Sequence, residues 1–184
     1  MSGNVSSAVL FLVNTLFGLY AMVVLLRFLL QMVRADFYNP LSQFVVKATN
    51  PLLRPLRRVI PGAFGIDFAA LLLFYLVALV TVALLAAIAG ISLPVLWLLG
   101  YAVLKCVLLL LHLFFFTILV QVILSWVSPG WSPVGAVLYA VNAPLLRPFQ
   151  KIIPPLGGLD LSPLFAIILL QFLSFLVPLP YPLR

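Results

Sequence analysis

Glutamate does not occur in this 184-residue chain, aspartate occurs three times, and histidine and cysteine occur once each. With Asp36, Asp67 and Asp160 as its only side-chain carboxylates, the chain lacks the residues for paired-carboxylate acid–base chemistry, for a catalytic triad or for a metal cluster. The single Cys106 lies in an apolar run and admits neither an intrachain disulfide nor a cysteine metal site. No enzyme activity, cofactor or metal is expected. Charged residues are scarce altogether, at 7% against about 25% in soluble domains. What fills the chain instead is apolar: 66% of it belongs to the AVILMFWYC class. That composition excludes a soluble domain and predicts a membrane protein.

Ten Lys and Arg against three Asp give a net charge of +7. In a soluble chain this balance would raise nucleic-acid binding. Here the bases are few and confined, so the expected counter-charge is anionic lipid headgroups, with no nucleic-acid partner.

A membrane crossing takes about 20 mainly apolar residues, and four segments fit: about 5–33, 68–91, 98–127 and 161–179. The first is unbroken by charge until Arg27, with no Lys or Arg ahead of it and no small-residue cleavage site after it, so it reads as a retained span. The second carries no charge in the 24 residues from Phe68 to Ile91. The third lies within an apolar stretch from Leu93 to Val127 that holds Lys105 and His112, and Pro178, Pro180 and Pro182 end the fourth.

An internal repeat organises these spans. At an offset of 93 residues, Pro51-Leu52-Leu53-Arg54-Pro55 recurs as Pro144-Leu145-Leu146-Arg147-Pro148, and Ile60-Pro61 as Ile153-Pro154. Gly65, Asp67 and Leu71 recur as Gly158, Asp160 and Leu164, and ten of the 21 positions from Pro51 to Leu71 are identical. Upstream, Asn39-Pro40 aligns with Ser132-Pro133, each an N-cap followed by proline at the first helical position. Apolar sets at helical spacing follow: Leu41, Phe44, Val45 and Ala48, then Val134, Val137, Leu138 and Val141. Each copy predicts a short amphipathic helix on the membrane surface, ended by Pro51 or Pro144.

The expected fold is all-α: four transmembrane helices in two units, 1–92 and 93–184, each a span, a surface helix, a Pro/Arg turn and a span. Two spans per unit make the copies parallel. The inter-span loops carry seven of the ten bases, Arg34, Lys47, Arg54, Arg57, Arg58, Arg147 and Lys151, whereas the central connection has none. The positive-inside rule then puts those loops in the cytoplasm and both termini outside.

If the turn is helical, Arg54, Arg57 and Arg58 share one face, as do Arg147 and Lys151. They form either a docking surface for acidic lipid or an acidic partner, or plain positive-inside anchors. Asp67 and Asp160 are read first as helix-start residues or ion-pair partners of Arg54 and Arg147, thirteen positions earlier. The alternative is a doubled cation or proton site. Arg27 is expected to snorkel to the cytoplasmic interface and Lys105 to sit at the outer one. His112, seven residues from Lys105, is expected to be a hydrogen-bonded packing residue. Ala83 with Ala87 and Ala86 with Gly90 offer small-residue spacing for close helix contact.

The residues that carry the repeat also resemble a known family. Arg27, the stretch from Asp36 to Lys47, Asn50-Pro51-Leu52-Leu53-Arg54-Pro55-Leu56-Arg57-Arg58-Val59-Ile60-Pro61, Asn142-Ala143-Pro144-Leu145-Leu146-Arg147-Pro148 and Gly157-Gly158-Leu159-Asp160-Leu161-Ser162-Pro163 resemble the YggT family of bacterial inner-membrane proteins, as two tandem units. The first copy departs from the usual Asp-Leu-Ser-Pro ending, with Asp67-Phe68-Ala69-Ala70. The resemblance implies a role in tolerance of osmotic or envelope stress, including potassium uptake. Through related plastid and Gram-positive proteins it also implies a part in division, nucleoid distribution or complex assembly. A scaffold or assembly factor with paired basic turns is therefore the expected function, and an oligomeric channel or transporter component for potassium the alternative. Membrane lipids, a second copy of the chain and other membrane proteins are the expected partner classes.

Overall fold

The computed structural model describes residues 3–35, 38–63, 65–127, 132–153 and 160–184. These form six α-helices: α1 Gly3–Met32, α2 Pro40–Val59, α3 Phe68–Ile88, α4 Val95–Val127, α5 Pro133–Ile152 and α6 Ser162–Leu176. Among the described residues no strand forms beyond an isolated bridge between Ala63 and Ile66. Three helices are long and apolar enough to cross a membrane: α1 over Asn4–Met32, α3, and α4. The fourth expected span is shorter than its sequence suggests. α6 has 15 residues, about 22 Å of helix against about 30 Å of hydrocarbon, because the chain leaves the helix at Val177 ahead of its three prolines.

Two helix ends show how the spans are closed. After α3, Gly90 takes a φ of +70°, and the amides of Gly90 and Ile91 donate to the carbonyls of Ala87 and Ala86. This is the Schellman arrangement, for which glycine avoids a Cβ clash. Gly90 is exposed and touches no neighbouring helix, so it serves this turn and not the close helix contact expected from its spacing with Ala86. α1 ends the same way, with Arg34 N–H on Gln31 O and Ala35 N–H on Leu30 O, but the left-handed position holds Arg34 at φ +50°.

α2 and α5 correct the expectation that Pro51 and Pro144 end their helices. Both helices run for 20 residues, straight through Pro51 and Pro55 and through Pro144 and Pro148. Two facts explain this. All four prolines stand on the exposed face, where carbonyls left without an amide donor tilt outward and are solvated. Continuing the helix also delivers Leu53 and Leu146, 0% and 1% exposed, to the core. Burying a leucine is worth about 1.5–3 kcal/mol, comparable with the cost of about 3 kcal/mol for an interior proline.

The buried stripe of α2 is also rotated from the expected one. It is Ser42, Val45, Thr49 and Leu53, while Phe44 is 61% exposed. Thr49 can lie inside because its hydroxyl donates to the Val45 carbonyl at 2.8 Å. In α5, Val137, Leu138 and Val141 are buried as expected, joined by Asn142 and Leu146.

Contacts repeat between the halves of the chain. α1, α2 and α3 each touch the other two, and so do α4, α5 and α6. The halves meet through α3 and α1 on α4 and through α5 on α1 and α2. One core joins α1 and α3 with Val45 and Leu53 of α2, Leu109 and Leu113 of α4 and Val137 and Val141 of α5. A smaller one joins Ile118, Leu146, Ala166 and Leu170. A third packs Leu179 and Leu183 of the tail onto Val82, Leu85 and Leu108.

Candidate functional site

The bases that the sequence marks out stand on α2 and α5, and helix geometry sorts them. Each helix starts on a side-chain cap: Asn39 Oδ1 accepts from Leu41 N–H at 2.7 Å and Ser132 Oγ from Gly135 N–H at 3.3 Å. Each ends on one bond, Ile60 N–H to Leu56 O and Ile153 N–H to Phe149 O, both 2.8 Å. With about 100° of turn per residue, Arg57 lies only about 40° round from buried Leu53, whereas Arg54 and Arg58 lie about 100° and 140° away. Arg54 and Arg58 are accordingly exposed on α2, as Arg147 and Lys151 are on α5. These are the same two positions in each copy.

Arg57 turns inward. Its Nη2 donates to Gln31 Oε1 at 3.0 Å and pairs with Asp67 Oδ2, the carboxylate side chain being 3% exposed. The other Asp67 oxygen caps α3 by accepting from Ala70 N–H at 3.1 Å. The partner is thus ten positions away instead of thirteen, because Arg54 points outward. In the second copy Gln150 takes the place of Arg57, and its Nε2 donates to Asp160 Oδ2 at 3.0 Å. Asp160 Oδ1 accepts from Ser162 N–H at 2.8 Å. Burial draws the Asp160 carboxyl upward, but the hydrogen bonds from Ser162 and Gln150 outweigh it and hold the group below its ordinary value. Both aspartates therefore serve the starts of α3 and α6 and the ends of α2 and α5, each within its own half. Gly158 and Pro154 of the repeat, and Asp36, lie outside the described residues.

Arg27 does not snorkel into the open. It is 8% exposed and within electrostatic reach of Arg57 and Asp67, and with Gln43, Lys47 and Asn50 it lines a cavity of about 370 Å³. Lys105 is enclosed by protein. It is 2% exposed, held by Asn14 Oδ1 at 2.7 Å and the Leu183 carbonyl at 2.9 Å. Half-buried Cys106 lies next to it in the chain. His112 lines a cavity beside Lys105.

Sequence reasoning passed over the neutral polar partners. Gln31 and Gln150 complete the two aspartate contacts, and the offset that pairs Arg57 with Gln150 is the signal that identifies the latter. Asn142, 0% exposed, accepts from Thr117 Oγ1 at 2.7 Å and donates to Gln121 Oε1 at 2.8 Å, tying α5 to α4. Asn39 Nδ2 donates to the Pro133 carbonyl and links the starts of α2 and α5.

Fold and site together define an all-helical membrane protein with matched basic faces on two equivalent helices. The CCB3/YggT family model matches residues 6–88 and 100–180, and the chain belongs to that family. It is similar to a Pseudomonas aeruginosa protein designated PA0392, 48% identical over 177 residues, covering 95% of this chain and 90% of that one. The YggT protein of Escherichia coli K12 is 44% identical over 165 residues, covering 89% of this chain and 86% of its own. The ycf19 protein of Guillardia theta is 34% identical over 70 residues, which is 36% of this chain but 76% of that protein. No solved structure matches the chain.

Proposed function

We propose that this protein is a non-enzymatic scaffold or assembly factor of the bacterial inner membrane that supports osmotic and envelope-stress tolerance. In this reading the two halves are parallel units of two spans each, α6 being the short fourth span. α2 and α5 lie along the cytoplasmic leaflet as amphipathic helices. Both ends of the chain face outward.

The observation that carries the docking role is the sorting of the bases. Arg54 with Arg58 and Arg147 with Lys151 are exposed at equivalent positions, while the position that bonds the aspartate of its own half is Arg57 in one copy and Gln150 in the other. Positive charge is thus kept at the four exposed positions and exchanged at the one that bonds an aspartate. Each base near an anionic leaflet contributes about 1 kcal/mol, so four of them contribute on the order of 4 kcal/mol, screened by salt.

The test is charge reversal of Arg54, Arg58, Arg147 and Lys151 together, read by crosslinking in native membranes and by association with vesicles containing phosphatidylglycerol. Loss of headgroup or partner crosslinks, with the protein still inserted, is the expected outcome. Unchanged crosslinks and unchanged vesicle association would sink the docking role.

A further inference from the structure

Arg54 and Arg58 of α2 have counterparts in Arg147 and Lys151 of α5, but the polar stripe that leads up to Arg54 has none. Gln43, Lys47, Asn50 and Arg54 follow one another at spacings of four, three and four residues and so share one face of α2. At the offset of 93 the same stripe of α5 reads Ala136, Ala140, Ala143 and Arg147. Arginine is all that the two stripes share. The other three polar residues belong to the first half, and a basic surface common to both halves does not account for them.

That stripe stands beside two cavities. Arg27 of α1, Gln43, Val46, Lys47 and Asn50 line one of about 370 Å³, and Lys47, Asn50, Pro51 and Arg54 line another of about 330 Å³, so the two adjoin at Lys47 and Asn50. Arg27 is the buried member of the lining, at 8% exposure, while Gln43, Lys47 and Arg54 are exposed. Gln43 Nε2 donates to the Tyr38 carbonyl at 3.1 Å, and a side-chain amide has a second hydrogen to give. Among the described residues no carboxylate lines either cavity. Asp67 lies within electrostatic reach of Arg27 but is ion-paired with Arg57, and Asp160 bonds Gln150 in the second half.

Three cations and two amides, from two helices, thus gather around one adjoining space, and every one of them carries hydrogen-bond donors. A phosphate group suits such a set better than a carboxylate does. Its oxygens are disposed tetrahedrally and can be divided among donors that arrive from different directions, with the arginine forks taking two at a time and lysine acting as a point charge.

We propose that Arg27, Lys47 and Arg54, with Gln43 and Asn50, form a phosphate-binding site that only the first half of the chain carries. The proposal deepens the docking reading, on which its use of Arg54 rests, by naming the chemistry recognised. The headgroup of an acidic phospholipid and free phosphate both present it.

The experiment is thermal unfolding of the full chain in neutral detergent, titrated with phosphatidylglycerol, phosphatidylcholine or inorganic phosphate, with ionic strength held constant by sodium chloride. A ligand that binds the folded chain raises Tm. Phosphatidylglycerol or inorganic phosphate should raise it, and phosphatidylcholine should not. A response to phosphatidylglycerol alone identifies a lipid headgroup as the source, and a response to inorganic phosphate identifies the free anion. The triple variant Gln43→Ala, Lys47→Ala, Asn50→Ala copies the stripe that α5 already carries, so it should fold, and it should weaken the apparent affinity on the order of tenfold. Lys47→Arg should keep the affinity. Neutralising Arg58, Arg147 and Lys151 leaves the stripe intact and should leave phosphate binding unchanged, whereas it should weaken the crosslinks expected of the docking surface, so the two readings fail separately. The site is overturned if neither phosphate probe stabilises the chain beyond phosphatidylcholine, if the triple variant binds as tightly as the parent, or if neutralising Arg58, Arg147 and Lys151 costs as much affinity as the triple variant does.

Discussion

Arg57 in the last turn of α2 and Asp67 at the start of α3 are ion-paired, their side chains 34% and 3% exposed. The carboxylate is the buried partner, so the consequences of breaking the pair fall mainly on it. Arg57→Leu leaves a buried charge without its cation, and we expect a loss of about 2–3 kcal/mol, below the 3–5 kcal/mol of a fully buried pair because Arg57 is partly solvated. Arg57→Gln copies the second half of the chain and keeps a donor for Asp67, so it should cost less. Gln150→Leu removes a hydrogen bond to an exposed carboxylate that water can replace, and it should cost under about 1 kcal/mol. Thermal unfolding in detergent ranks the three. A Gln150→Leu loss equal to that of Arg57→Leu would contradict the asymmetry.

Asp160 sets a pH dependence of known sign. Its carboxyl is held below its ordinary value by the bonds from Ser162 and Gln150, which outweigh the upward effect of burial. A depressed folded value means that the contribution to stability is complete above the unfolded value, about 3.9, and is lost as pH falls through the folded one. Asp160→Asn should therefore flatten the acid limb of a Tm-versus-pH profile, lowering Tm modestly near neutrality, where the contribution is present, and converging on the parent protein in acid. An unchanged acid limb in the variant would show that the carboxylate is not held in this way.

Pro51 and Pro144 lie inside continuous helices, so alanine should be tolerated at either position and should stabilise. The ceiling is about 3 kcal/mol. We expect nearer 1 kcal/mol, since the freed carbonyls on the exposed face are already solvated. Leu53→Ala and Leu146→Ala, the residues that the continued helices bury, should instead cost about 2–5 kcal/mol each. Helices that really stopped at the prolines would show little response to Pro51→Ala.

These helices also show what sequence alone discloses. Asn39-Pro40 and Ser132-Pro133 mark both starts to the residue, since capping chemistry is local and the offset of 93 repeats it. The ends are hidden, because proline is a breaker only where the core does not reward continuing, and the reward sits at Leu53 and Leu146. Exposed Arg54 and inward Arg57 differ by which side of α2 meets α1 and α3, a tertiary fact. The contrast of Arg57 with Gln150 is nonetheless written in the repeat. Lys105 is least legible of all: its partners, Asn14 and Leu183, are 91 and 78 residues away.

Arg34 occupies a left-handed position at φ +50°, which costs an L-residue roughly 1–2 kcal/mol relative to glycine. Arg34→Gly should therefore raise stability by about 1 kcal/mol, and Arg34→Val, branched at Cβ, should lower it. If Arg34→Gly destabilised the protein by a similar amount, the guanidinium would have to supply an interaction larger than the strain.

Asn142 is the polar pin between α5 and α4, and its position in the first half is taken by Thr49, which satisfies itself on the Val45 carbonyl. Asn142→Leu removes the donor to Gln121 and the acceptor for Thr117, whose hydroxyl keeps a bond to the Phe114 carbonyl at 3.1 Å. The stranded group is therefore Gln121, and a loss of about 1–3 kcal/mol is expected. Asn142→Thr should be milder, since the smaller hydroxyl can repeat what Thr49 does. The decisive variant is the double replacement Asn142→Leu with Gln121→Leu. Replacing both partners by apolar groups removes the stranded carbonyl, so the double variant should recover much of the stability lost by Asn142→Leu. Strict additivity of the two single losses would mean that Asn142 and Gln121 do not share a bond that matters.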